Sequence, residues 1–404
     1  QVLAVANQPL EIDILIEILN VDEDDVLDRL DPLIERKIIK EQRNNALVQH
    51  HIPHKLVQEL VYRDLQPQLR SSLHYEVARS IEQRITTVQS AADIVGEHYR
   101  LAGEAGKAFS YLARAAETLW KQSLLYDAWK ISDKAMALAD LAKVDLPVSK
   151  IEGLRMILFR LRADVHYGRG EWDDCKKNLS NLLEIAERQD DKYMMVAGQL
   201  ELGRVYTRLG LMVESEELLK KAQSSAKKIG AQEEVVEVYF ELAAVAWERG
   251  KLDECRSLAE EGLVLAVGES MRKPRGELLL ALTAVQAFNG QIKEAAAGID
   301  EAQAILRQIG HKRLSCVALC NLAEIYVWQG RLALAHVKAR EALELARELD
   351  YRIGRANAVR MIGEVLMEVG RFDEAERQLR QGLSQANRMK LDPEIIAARH
   401  DLAR

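Results

Sequence analysis

Only four cysteines, seven prolines and five phenylalanines occur in the 404 residues. So few cysteines in so long a chain do not make a disulfide framework. The scarcity of proline leaves long stretches free to be helical. Aromatic residues stand at 5% against 48% hydrophobic residues, a balance that suits alanine- and leucine-rich helices over strands. No apolar run approaches the length of a membrane span, and no signal-peptide pattern opens the sequence. A net charge of −7 supplies no global basic field for nucleic acid or anionic lipid. These absences predict a cytoplasmic protein without a membrane partner.

Catalytic signatures are lacking as well. There is no His-Glu-x-x-His, no Gly-x-Ser-x-Gly and no carboxylate pair distinguishable from ordinary helix-surface charge. The nearest approach to a phosphate loop is Gly103-Glu-Ala-Gly106-Lys107-Ala108. It lacks the first glycine at the required distance and the Ser or Thr that would hold Mg²⁺. No catalytic residue, metal site or cofactor is therefore expected within this sequence. Cys316 and Cys320, four apart on one helix face with His311 upstream, admit a metal or redox pair. The packing alternative treats free cysteine as a small buried hydrophobe. His50 and His51 are adjacent on a β-prone run, so their side chains leave opposite faces and do not share an ion.

What is present is a period. Gly170, Gly210, Gly250, Gly290, Gly330 and Gly370 stand forty residues apart. Five after each comes a small residue: Cys175, Ser215, Cys255, Ala295, Ala335, Ala375. Seven before comes another: Ala163, Gly203, Ala243, Thr283, Ala323, Gly363. Glycine just past a helix adopts the left-handed conformation without a Cβ penalty. The small columns mark where two helices cross closely. Asp173, Asp253 and Asp373, three after their glycines, are expected to cap the following helix. No such hairpin buries its apolar face alone, so neighbours stack into a continuous core.

The columns Leu202-Gly203…Tyr206…Gly210 and Leu322-Ala323…Tyr326…Gly330…Ala335…Ala342 resemble the tetratricopeptide repeat. The usual repeat is about 34 residues, and the forty here lengthen the helices and their links. The fold class expected is mainly all-α, a right-handed solenoid over residues 146–404. The sequence stops at Leu402-Ala403-Arg404, in the columns of a first helix, so the array is expected to be cut within a further repeat.

The first seventy residues follow another pattern. Pro9–Asn20 reads as a helix, and Asp22 precedes a second through Val26, Leu30 and Ile34. Two β-prone runs around Arg43-Asn44-Asn45 read as a hairpin. Pro53 then opens a helix from His54 to Tyr62. Helix, helix, hairpin, helix is a winged-helix order over 1–70. An irregular helical transition follows over 71–145, with helices expected at Ser71–Ile85, His98–Gly103 and from Leu125.

With Ile52-Pro53-His54-Lys55-Leu56-Val57 preceding a repeat array, the chain resembles the sensor half of the signal-transducing ATPases with numerous domains. That resemblance implies the order nucleotide-binding domain, winged helix, repeat sensor. It gives His54 a contact to the phosphate of bound ADP in the whole protein and places an ATPase domain upstream in cis. ATP or ADP would then belong to the full-length protein and not to this stretch. The sequence has Pro53 and Lys55 where the family motif carries methionine and aspartate. The other reading of His54 is a helix-start residue packed on the wing with its ring bonded to backbone.

In such arrays the first helix of each unit lines the concave face, where a protein, peptide or effector binds. Projecting the columns puts Arg160, Tyr167, Arg204, Arg208, Phe240, Trp247, Phe288, Trp328, Arg360 and Glu364 near it. Arginines among aromatics are typical of interface hot spots. Aromatics filling the inter-helix core are the alternative. The leading functional reading is a non-catalytic sensor and interaction module relaying through the winged helix. A passive scaffold and a winged-helix DNA-binding regulator are the alternatives. Against the last, Glu23–Lys37 carries Glu23, Asp24, Asp25, Asp28, Asp31 and Glu35, which phosphate would repel.

Overall fold

The computed structural model describes residues 1–44, 47–84 and 91–403. Packing divides the chain into two compact units, residues 1–119 with 127–158 and residues 120–126 with those from 159 on. Among the described residues no helix is long and apolar enough to cross a membrane.

The first unit opens with α1 (Val2–Ala6), β1 (Leu10–Glu11), α2 (Ile12–Leu19) and α3 (Glu23–Glu35). Asp22 caps α3 by accepting from the Asp25 N–H at 2.9 Å. The hairpin follows as β2 (Lys40–Asn44) and β3 (Leu47–His51), then α4 (Lys55–Asp64). The three strands form an antiparallel sheet of order β1-β3-β2, with Leu10 opposite His50 and Glu41 opposite His50. The expected turn at Asn45 lies outside the described residues. Val2, Leu3, Val5, Leu10, Leu15, Val26, Leu30 and Val77 form the core, so the short first helix and strand are integral to it. The helix expected over Pro9–Asn20 begins only at Ile12, after β1, and α1 is additional to the expected elements. Five apolar residues in one turn and a half carry no period to read.

Next come α5 (Pro67–Arg84), α6 (Ala92–Ala102), α7 (Ala105–Lys121) and α8 (Leu125–Leu138). The expected last residue of the first of these, Ile85, lies outside the described residues. Gly103 closes α6 with φ +87°, and Lys107 lies within α7, its ammonium on Glu82 at 3.3 Å and over the Tyr99 ring. The Gly106-Lys107 stretch is thus a helix start and not a phosphate cradle.

The array is built from α9 (Val148–Arg169), α10 (Trp172–Arg188), α11 (Lys192–Arg208), α12 (Met212–Ile229), α13 (Gln232–Glu248), α14 (Leu252–Leu265), α15 (Arg272–Phe288), α16 (Ile292–Gln308), α17 (Lys312–Trp328), α18 (Leu332–Glu348), α19 (Arg352–Glu368), α20 (Phe372–Met389) and α21 (Asp392–Ala403). All six ladder glycines are left-handed, with φ between +69° and +80°. Beyond each, the next N–H reaches back across the helix end, as Leu211 does to the Tyr206 carbonyl at 2.9 Å. The small columns are fully buried and touch: the Ser215 hydroxyl donates to the Gly203 carbonyl at 2.8 Å and the Cys175 thiol to the Ala163 carbonyl at 3.2 Å. A Cβ at Gly363 would stand 2.7 Å from Leu379 Cγ. The second helix of each of these pairs starts two residues earlier than the sequence suggests. Glu171, Lys251 and Arg371 are therefore the N-caps, without side-chain caps, and Asp173, Asp253 and Asp373 fall in the first turn. From there they complement the helix dipole and cap nothing.

The first and last hairpins of the array are in contact. The Trp172 indole N–H donates to the Met389 carbonyl, Arg169 Nε meets Asp350 at 3.0 Å, and Arg352 meets Glu171 at 3.3 Å. Trp172, Cys175 and Leu179 belong to one apolar cluster with Leu319, Ile353, Met361 and Met389. The sequence reading contained no such closure.

Candidate functional site

All four cysteines are buried. Cys316 donates to the Ala342 carbonyl at 3.4 Å, and burial pushes the Cys255 thiol up to about 11. They are packing residues, and among the described residues no group of His, Cys, Asp and Glu is arranged to hold a metal ion. His50 is buried beside Glu41 at 3.6 Å, while His51, the next residue of the strand, is half-buried and leaves the opposite face. His54 sits at the N-cap of α4, exposed and without a capping bond, so the packed alternative does not describe it. On α4, Leu56 and Leu60 are 69% and 59% exposed, one turn apart on one face.

The first helices of the array face one another through charge. Arg160 Nε meets Glu201 at 2.6 Å, from α9 to α11, and Arg204 Nε meets Glu241 at 2.6 Å, from α11 to α13. Lys273 of α15 pairs with Glu237 of α13. Arg313 of α17 holds Asp164 of α9 through both carboxylate oxygens, at 2.6 and 2.5 Å, and the Trp120 indole N–H donates to the same carboxylate at 2.7 Å. Further along, Arg360 meets Asp401 at 2.7 Å and Glu364 at 3.4 Å.

Burial and pairing compete at each group. Burial alone would raise Asp164, yet the Arg313 guanidinium outweighs it and holds the carboxyl at about 2. Burial likewise opposes ionisation of Glu237, and Lys273 outweighs it, keeping the carboxyl below its usual range. At Glu277 burial wins, and the carboxyl lies above its ordinary range despite Lys273. His311, buried near Arg313 and Lys273, is pushed down to about 4 and so is neutral; its Nδ1 accepts the Leu314 N–H at 3.3 Å.

Of the polar residues singled out in the sequence, Arg360 meets Glu364 and Arg208 meets Tyr167, while Arg160 and Arg204 pair with other residues. Arg160 also lies over the Trp120 ring at 5.6 Å, and Arg208 Nε donates to the Tyr167 hydroxyl at 3.0 Å. The aromatics divide. Phe240 and Trp247 are partly buried among helices, beside Val236 and Leu278 and beside Cys255 and Val285. Trp247 meets Phe288 edge to face at 6.1 Å. Phe288 and Trp328 are 64% and 44% exposed at equivalent helix ends, two residues before their glycines.

Asp164, Glu201, Glu237, Glu241, Lys273, Glu277, Arg313 and Asp401 were not singled out. A signal for most existed: opposite charges offset by nearly one period, as 160 to 201, 204 to 241, 237 to 273 and 360 to 401. Asp164 and Arg313 are 149 apart, which no period indicates.

Residues 237–404 match the family model described as the MalT-like TPR region. No curated protein sequence matches the chain. A signal transduction ATPase with numerous domains from Pyrococcus horikoshii, carrying a tetratricopeptide repeat sensor, aligns over 98% of this chain and 64% of its own, with 14% identity and a TM-score of 0.43. The Rap conjugation gene regulator of plasmid pLS20, solved with the Phr* peptide, covers 96% of each chain with 13% identity and a TM-score of 0.60. The apo quorum sensor NprR from B. thuringiensis covers 90% of this chain and 99% of its own, with 14% identity and a TM-score of 0.54. With these last two the chain shares a tetratricopeptide-like array of helical hairpins, and residues 237–404 are similar to the MalT-like form of that repeat.

Proposed function

We propose that the chain is a non-catalytic sensor and protein-interaction module, acting in the cytoplasm, whose array takes a protein or peptide on the concave face formed by its first helices. The observation that carries this reading is the charged face shared by successive first helices, where Arg160, Arg204 and Arg360 present guanidinium groups among carboxylates. Such groups grip polar peptide atoms with defined geometry. The Rap regulator was solved with a peptide bound, and a shared fold makes peptide binding a reasonable function to test here. Phe288 and Trp328, exposed at the helix ends, add apolar anchors of the kind that dominate binding energy.

The first 70 residues act as a winged helix that relays the state of the array to an ATPase domain in cis. Support comes from the three-stranded sheet among short helices and from Leu56 and Leu60 standing exposed next to His54. An exposed apolar pair on one helix face suits a domain contact. In the whole protein His54 would touch the phosphate of ADP. The relay requires that ligand and nucleotide each favour one of two states.

The test is direct. Immobilised array should capture a defined partner, and Phe288→Ser with Trp328→Ser should lose it without loss of helix content. In the full-length protein, His54→Ala should release ADP faster; unchanged nucleotide retention removes the relay. Capture with no nucleotide-binding domain in the gene would leave a passive scaffold.

A further inference from the structure

Four cations on the shared face are each engaged with one carboxylate: Arg160 with Glu201, Arg204 with Glu241, Lys273 with Glu237 and Arg313 with Asp164. Glu277 is left over. It lies one turn from Lys273 on the same face of α15, only 3% exposed, and its Oε2 has no hydrogen-bond partner. The cations that act on it are Lys273 and Arg204, each already hydrogen-bonded to another carboxylate. A buried carboxylate oxygen without a hydrogen-bond partner is costly, and cations shared with other acids offset that cost only in part.

The side chains next to Glu277 along these faces are small. Beyond Glu277 the same face of α15 continues with Ala281 and Ala284, and the face of α13 that carries Glu237 and Glu241 continues with Ala244. All three alanines are half-buried. In the neighbouring first helices the position of Ala244 and Ala284 is filled by Asp164, Arg204, Glu324 and Glu364. The charged row thus gives way to small apolar side chains beside the unpaired acid.

We propose that Glu277, with Glu237 and Glu241 beside it, receives the guanidinium or ammonium group of a ligand whose alkyl stem lies along Ala281, Ala284 and Ala244. The incoming cation completes the ion pairing of the face, and the stem covers apolar surface as the stems of lysine and arginine do. This rests on the reading of the array as a peptide-binding module, and it names a basic side chain as the feature recognised. A free amine with the same stem satisfies the same chemistry.

The experiment titrates the full chain with N-acetyl-arginine amide, its uncharged isostere N-acetyl-citrulline amide, and agmatine, reading binding heat and melting temperature. The arginine compound should bind and raise the melting temperature, and the citrulline compound should not. Glu277→Gln should bind on the order of tenfold more weakly or worse, as expected for loss of a charged hydrogen bond. Ala284→Leu, which leaves every carboxylate in place, should also weaken binding by blocking the stem. Equal responses to arginine and citrulline, equal binding by wild type and Glu277→Gln, or no response to either cation would overturn the proposal. Tighter binding of agmatine than of the arginine amide supports the cation site and removes the peptide as its source. A partner captured equally well by wild type and Glu277→Gln refutes the cation site while leaving the interaction module standing.

Discussion

The two units bury polar groups in opposite ways. In the first, the Tyr62 hydroxyl meets His74 Nε2 at 2.9 Å, and His74 Nδ1 meets His98 Nδ1 at 2.8 Å. One set of neutral tautomers satisfies this chain: Tyr62 donates to His74, His74 to His98, and His98 to the Ala6 carbonyl. Burial pushes both rings down to about 4, so they are uncharged at neutral pH. In the array buried groups such as Asp164 and Arg313, or Glu237 and Lys273, keep their charges and are paired instead, with His311 and Glu277 as exceptions. Neutral chains avoid the desolvation cost of ions, whereas ion pairs offset it only while both partners remain. The first unit should therefore be sensitive to acid and the array to deletion of a single partner.

The largest effect should come from breaking a pair. Arg313→Ala leaves Asp164 buried without its cation and should cost the array about 4 kcal/mol in urea unfolding. Adding Asp164→Ala should recover part of that loss, and simple additivity would show that the pair is not coupled. Second comes acid. The unfolded histidines take up protons first, since their folded values are depressed. The stability they contribute is present above pH 6.5 and disappears as pH falls toward 4, amounting to about 3 kcal/mol if one ring of the pair is counted. Amide exchange in α5 and α6 should accelerate over that window, as should exchange at the start of α17, where His311 is depressed alike, while exchange in α11 to α13 lags. His98→Gln should flatten the dependence.

A smaller contrast lies within the glycine ladder. At Gly170 a Cβ would stand 2.7 Å from Met389 Cγ and 2.8 Å from Met389 Cβ, while at Gly250 nothing lies within 4 Å. Both have positive φ, +70° and +69°. Gly250→Ala should cost about 1 kcal/mol from backbone strain alone. Gly170→Ala should cost about 2 kcal/mol more, because it also overpacks the junction of first and last hairpins. Equal losses at the two sites would mean that this junction contributes nothing in solution. Smallest of all, Phe288→Ser should change stability by no more than about 0.5 kcal/mol, so any loss of partner capture by that variant reflects binding.

Much of the fold was legible because helix ends and helix crossings leave local chemical marks. Glycine past a helix and small residues at a crossing recur in every unit. The second set of turns was not legible, although it has the same period. Asp190, Gly230, Gly310, Asp350 and Lys390 are all left-handed, at φ of +51°, +72°, +67°, +47° and +53°, yet only two are glycine. The other three tolerate a strain that no sequence column displays. The capping role expected of Asp173 fails by two residues, within the ordinary uncertainty of helix boundaries. Most charges of the candidate site were overlooked because each looks like ordinary helix-surface charge until its partner one period away is considered.

The sequence by itself determined the unit: two helices in forty residues, closed by glycine, crossing at small side chains and stacked because neither face is stable alone. It did so because capping and close packing depend on neighbours a few residues away. Only the tertiary structure decided which charges meet. The Asp164–Arg313 pair, the Trp172–Met389 bond and the surplus of Glu277 all depend on how far the array turns from one hairpin to the next. That turn accumulates from many small packing angles, and no single residue records it.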